Sequence, residues 1–175
     1  AGWHPAVQAW HKQVRGGGSA AFHCGESHNG RSVVKEAFEI NIPTQGRNAN
    51  SATEHADETI KFLENHDGAK PFFVYLVPPV PHDPRLAPPE FSKLYDPAKI
   101  SLSKNFMPQH PFDNGELHVR DEGLAPHPRP PEVMRQHRAD YSASISRLDD
   151  EVGGVPEVPK NRGFATTAIP SFATA

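Results

Sequence analysis

Eleven histidines and a single cysteine are the side chains of this 175-residue chain best suited to chemistry near neutral pH. A histidine near neutral pKa can donate a hydrogen bond and can also protonate a leaving alkoxide. Histidines at His4, His11, His23, His28, His55 and His66, and on to His137, give no i, i+4 pair with an acidic partner on a helix. A structural zinc site is therefore not expected, and no metal ligands are assigned. Cys24 has no second cysteine to bridge, so no internal disulfide forms. It reads as a small buried hydrophobe. Asp149-Asp150-Glu151 reads as a solvated helix face.

The elements that must position these residues are unevenly marked. Residues 3–14 place Val7, Trp10 and Val14 on one face of a short helix. Gly16-Gly17-Gly18-Ser19 breaks it, and Ala20-Ala21-Phe22-His23-Cys24 follows as a buried strand ending at Gly25. A second helix is expected over 52–66, where Ser51-Ala52-Thr53-Glu54 has a capping-box pattern and Asp67-Gly68 closes the segment. Pro71 then opens Phe72-Phe73-Val74-Tyr75-Leu76-Val77, an unbroken apolar run that predicts a strand in a sheet interior, buried on both faces. Residues 78–131 form a long proline-punctuated excursion, of the length that is normally functional or disordered. Over 132–155, Met134, Tyr141, Ile145, Leu148, Val152 and Val155 recur at helical spacing, with Pro130-Pro131 at the start and Pro156 and Pro159 ending it. Pro170 demotes the tail to an edge strand or coil. Alternating helices and strands predict an α/β fold whose sheet has a parallel part, with flanking helices and a long proline-rich loop.

Composition narrows the function classes. Hydrophobic residues make up 36% and charged residues 22%, and no apolar run is long enough to span a membrane. A net charge of -3, with no basic block, argues against a nucleic-acid surface. A start at Ala1-Gly2-Trp3-His4 shows neither an initiator Met nor a signal pattern, which suggests a processed or fragmentary start. The chain is expected to be soluble, in a compartment the residues leave open. Prolines, 19 in all, fix φ and remove donors, so much of the chain is expected to be loop.

Three stretches, taken in order, resemble a type I sulfatase of the alkaline-phosphatase-like superfamily. They are Phe22-His23-Cys24-Gly25-Glu26-Ser27-His28-Asn29-Gly30-Arg31; Lys70–Val77 running into Pro81-His82-Asp83-Pro84-Arg85; and Phe106 through Pro111-Phe112-Asp113-Asn114-Gly115-Glu116 to Arg138-Ala139-Asp140-Tyr141 and Leu148-Asp149-Asp150-Glu151-Val152-Gly153. The likeness covers roughly 18–155 and implies a single partial domain over 1–175, with 78–131 an excursion within it. In that family the Lys and His of a Gly-Lys-x-His segment contact the sulfate group, and a Pro-His histidine is a further donor. By resemblance these positions are Glu26, His28 and His82, the two histidines as catalytic groups and Glu26 as the substrate-binding position. His28 and His82 also fall just beyond the ends of the two expected strands, where open parallel sheets bind ligands.

The departures carry expectations too. A sulfate ester brings anionic oxygens that need cationic or N–H donors, and Glu26 places a carboxylate where the family has lysine. The family's formylglycine arises in a Cys/Ser-x-Pro/Ala-x-Arg motif; Cys24 has Glu26 and His28 at the two diagnostic positions. The family's calcium is held by an early pair of aspartates and a later Asp-Asn, and these segments are expected to lie outside this chain; Asp113-Asn114-Gly115 mimics the later motif but sits in the excursion. The resemblance thus implies a hydrolase of sulfate esters seen as a central fragment, inactive as it stands. Its partners would be a small-molecule sulfate ester or sulfate ion, with no nucleic acid and no membrane. Alternatives are a non-catalytic binding or structural domain on the same scaffold, and a phosphodiesterase or phosphatase of the same superfamily. Pro156, Pro159 and Pro170, each expected to cost an element interior roughly 3 kcal/mol, point to a fragment, a decayed copy or an inaccurately determined sequence.

Overall fold

A computed structural model describes residues 10–27, 31–46, 48–113, 115–164 and 168–171. Its described elements group into two units, residues 1–80 with 148–175 and residues 81–147.

The first unit is built on a three-stranded parallel sheet in the order β2-β1-β3, where β1 is Ala20–Gly25, β2 is Ile40–Pro43 and β3 is Phe72–Val77. In register, Phe22 lies opposite Ile40 on one side and Val74 on the other. Parallel strands need crossovers, and the chain supplies helices for both. The first is α2, Arg31–Ala37, and the second is α3, Ser51–Asn65. A preceding helix, α1 (Trp10–Gly16), packs on α2 and β1, and Arg15 donates to the Glu36 carbonyl at 2.7 Å.

Alternation along β1 sends successive side chains to opposite faces. Phe22 stacks on Phe62 of α3, with ring centroids 4.5 Å apart. On the other face Ala21 joins Val34, Ala37 and Phe38 in a buried cluster, against which half-buried Phe73 packs. Every β1 residue from Ala21 to Gly25 is buried.

The expected strand at 72–77 forms with those limits, but it does not sit in the interior of the described sheet. β1 is central, whereas β3 pairs with β1 alone among the described strands, its residues are only half-buried and Tyr75 is 41% exposed. An apolar run reports affinity for a covered environment; it does not say which neighbour lies on each edge.

The helix expected at 52–66 begins one residue earlier, and the capping box does not form. Asn50 is the N-cap, with no side-chain hydrogen bond. Ser51 is already helical and buried, and its hydroxyl accepts from the Asn48 amide at 2.9 Å. At the other end Asp67 accepts from the Ala69 amide and Gly68 takes φ +76°, closing the segment as expected. Arg162 donates to the carbonyls of Glu64 and His66, neutralising the negative end of α3.

The long helix α5 spans Pro131–Gly153. It stops before Pro156, which instead caps a short helix α6, Glu157–Asn161, and Pro159 lies buried within that helix's first turn. Both prolines therefore occupy positions where a missing amide costs little, and neither breaks an element interior. The apolar stripe read from the spacing is not the packed one. Tyr141 and Ile145 are 45% and 41% exposed, while Ala139, Ala143 and Ser144 are buried.

Residues 81–147 make up the second unit, so the proline-rich stretch is not structureless. It contains α4 (Pro89–Ser92) and 3-10 turns at Pro97–Lys99 and Arg120–Leu124. Arg135 and Arg138 of α5 donate to the carbonyls of Ile100 and Ser101, at 3.2 and 2.8 Å. Tyr95 and Ser146 share a hydroxyl pair at 2.5 Å, and the Arg147 guanidinium lies over the Phe91 ring. Of the tail, Phe164 packs edge-on against Phe72 and His66, residues 168–171 are coil, and residues 165–167 and 172–175 lie outside the described residues.

Candidate functional site

The strand order reverses about β1: α2 carries the chain to β2 on one side, and α3 carries it back to β3 on the other. Crevices at such reversals, beyond the carboxyl ends of the strands, are where open sheets bind ligands. At that end Gly25 has φ +125°, and a Cβ there would lie 1.8 Å from the Val77 carbonyl oxygen. Only glycine allows β1 to approach β3 so closely. Directly after it the Glu26 amide donates to the Val77 carbonyl at 2.8 Å, and the Thr44 amide donates to the Gly25 carbonyl at 3.2 Å. The end of β1 is thus fastened to both neighbours.

Glu26 is half-buried at this junction and Ser27 is exposed. His28 lies outside the described residues. Pro79 and Val80, which follow β3, are buried. His82 belongs to the second unit, is 43% exposed at its side chain, and places Nδ1 2.8 Å from the Asp83 carboxylate and 2.9 Å from the Asp83 carbonyl.

Polar groups not singled out in the sequence gather below the strand ends of the first unit. His23, 1% exposed, sets Nδ1 2.7 Å from the Asn41 side-chain oxygen and Nε2 3.4 Å from the Glu26 carbonyl. His55, also buried, sets Nε2 3.1 Å from the Thr44 hydroxyl and Nδ1 against the Ser51 carbonyl. Their side-chain partners, Asn41 and Thr44, lie on β2 or just after it, a four-residue strand too short to stand out as a pattern.

Cys24 is fully buried, and burial, with the Glu58 carboxylate as a lesser cause, pushes its thiol up to about 12. It is an inert thiol at neutral pH. Asp113 accepts from the Gly115 amide at 2.8 Å and Gly115 takes φ +82°, which makes this stretch a turn. Among the described residues no group of three or more His, Cys, Asp or Glu side chains comes together to hold a metal ion. Those residues therefore do not form the calcium cage that the resemblance implies.

A pocket of about 480 Å³ also opens in the first unit, lined by Phe22, Ile40, Ile42 and Phe62 with Glu58 and Lys61 of α3. Ala20, Ala69 and Lys70, at or before the starts of β1 and β3, also line it. It belongs to the amino end of the sheet and not to the junction at Glu26.

A sequence model of the sulfatase family matches residues 4–158. The chain belongs to the sulfatase family. The match spans α1 through the first residues of α6, and the helices with the parallel sheet are those of a partial alkaline-phosphatase-like α/β fold. A search of curated proteins finds no match. The sulfatase family acts on sulfate esters, small-molecule substrates, and its members are generally metal-dependent. No described helix is long and apolar enough to cross a membrane.

Proposed function

We propose that this sulfatase-family chain keeps the family's sulfate-contacting positions in weakened form, with His28 and His82 as donors and Glu26 set against the anion. The observation that carries the reading is the position of Glu26. It follows β1 directly and its amide is bound to the end of β3, beyond the strand ends where open parallel sheets bind ligands. Imidazole N–H groups donate to sulfate oxygens, and the Glu26 carboxylate repels them. The chain as given, a single domain over 1–175 with 78–131 its excursion, therefore binds sulfate weakly and does not turn over an ester. Nowhere in its 175 residues does a Cys or Ser have Pro or Ala two positions on and Arg four positions on. Calcium, expected from the family, would belong with segments other than the described residues.

The same glutamate favours a second reading, a non-catalytic binding or structural domain on the sulfatase scaffold. An aryl-sulfate assay with added calcium, on protein whose intact mass is verified at 19.2 kDa, tests the first reading. No release of product above background is expected. Hydrolysis that disappears in His82→Ala would contradict it.

A further inference from the structure

Two loop histidines of the second unit, His118 and His127, come together across the short turn Arg120–Leu124. Their ring centroids are 5.5 Å apart and the rings are nearly perpendicular, at 81°. The segment carrying His127 is tied down. The Arg129 amide donates to the Pro108 carbonyl at 2.6 Å, and the Arg129 guanidinium donates to the carbonyls of Ala125 and Pro126. Directly after His118, the Val119 carbonyl accepts from the Gly123 amide at 3.2 Å, which closes the turn. Helical i, i+4 spacing, the signature of many metal-binding histidine pairs, does not apply to residues joined by such a turn.

His127 also carries an orphaned atom. The residue is half-buried, and its Nδ1 is buried with no hydrogen-bond partner among the described residues. A buried polar nitrogen left unpaired costs about 1–3 kcal/mol. A neutral imidazole can keep its hydrogen on Nε2, which leaves the Nδ1 lone pair free to bind a metal ion. Metal–nitrogen bonds of about 2.0–2.1 Å place two imidazoles on one tetrahedral ion with ring centres roughly 5 Å apart. The separation of His118 and His127 is close to that. We propose that these two histidines form a site for a divalent ion of the zinc, nickel and copper class, with His127 binding through Nδ1. Imidazole nitrogen suits those ions, whereas calcium and magnesium take oxygen ligands. No third His, Cys, Asp or Glu joins the pair among the described residues, so the ion keeps positions for water or an outside donor. Nothing in this proposal depends on Glu26, His28 or His82.

The test is a zinc chloride titration of the full chain by calorimetry, with calcium chloride as the control ion and thermal melts of each variant. Wild type should bind one zinc ion per chain at the pair and show no comparable uptake of calcium. His118→Ala and His127→Phe should each weaken zinc about tenfold or more. The double variant should be little worse than either single one, because both changes empty the same site. His110→Ala should leave zinc binding unchanged, since that ring belongs to the same unit but holds Nδ1 2.7 Å from the Phe112 carbonyl. Zinc should raise the melting temperature of wild type and not that of His127→Phe. Phenylalanine fills the ring's space without the unpaired nitrogen, so this variant should melt no lower than wild type before zinc is added. If it does not melt cooperatively, His118→Ala decides, because the His118 ring is exposed. Zinc binding that survives His118→Ala at full strength overturns the proposal. So do losses that simply add in the double variant, or a wild-type chain that takes up zinc no better than calcium.

Discussion

Cys24 and Gly25 are neighbours in β1, and each is constrained by something a sequence window does not contain. For Gly25 it is the Val77 carbonyl, 52 residues further along the chain, which leaves no room for a Cβ. Gly25→Ala should cost more than about 3 kcal/mol, checked by urea unfolding, because the Val77 atoms the new Cβ would meet are backbone and φ is positive. For Cys24 the constraint is burial, with the thiol's titration moved from 9.0 to about 12. Between those values the unfolded chain ionises while the folded one keeps its proton, so this group's contribution to stability is complete below about 9 and is lost as pH rises through the window. Cys24→Ala should flatten the alkaline limb of a stability–pH curve taken from pH 8 upward. Wild-type Cys24 should react with a thiol reagent at pH 8 only slowly when native, and fully in urea. Cys24's burial was legible from its apolar run. The pairing of His23 with Asn41 was not, because its partner sits on a strand of four residues, Ile40-Asn41-Ile42-Pro43, that carries almost no periodic signal.

Among the elements, β1, α3 and β3 were legible because each carries a run or a period long enough to be read without its neighbours. Their detailed roles were not. Ser51-Ala52-Thr53-Glu54 satisfies the letter of a capping box, yet Ser51 is drawn into the helix and its hydroxyl is bonded to the Asn48 amide. In α5 the large residues at helical spacing made Tyr141 and Ile145 look like core, but the packed face uses Ala139, Ala143 and Ser144, which let the backbone of residues near Leu86 come close enough for a Ser144 hydroxyl contact at 3.2 Å. Small residues at a tight interface leave little trace in a hydrophobicity pattern. The difference is measurable by thermal unfolding. Phe22→Ala, fully buried and stacked on Phe62, should cost about 3–5 kcal/mol. Tyr141→Ala, on the exposed face, should stay within about 0.5 kcal/mol. A large loss at Tyr141 would restore the sequence-based assignment of the packed face.

At the scale of the whole molecule, the chain is a sulfatase-family α/β scaffold whose strand ends present a carboxylate at Glu26. Family and fold class were legible from three ordered stretches of sequence. Which strand is central depends on pairings between residues 18 or 52 positions apart, and no local pattern encodes those. The proposed function is electrostatic: sulfate is held by N–H donors and opposed by the Glu26 carboxylate. A sulfate titration of the wild-type chain and Glu26→Lys, at low and raised salt, tests it most directly. Wild-type binding should weaken with salt, and Glu26→Lys should tighten it about tenfold or more. Binding indifferent to both salt and the Glu26→Lys exchange would contradict the proposal.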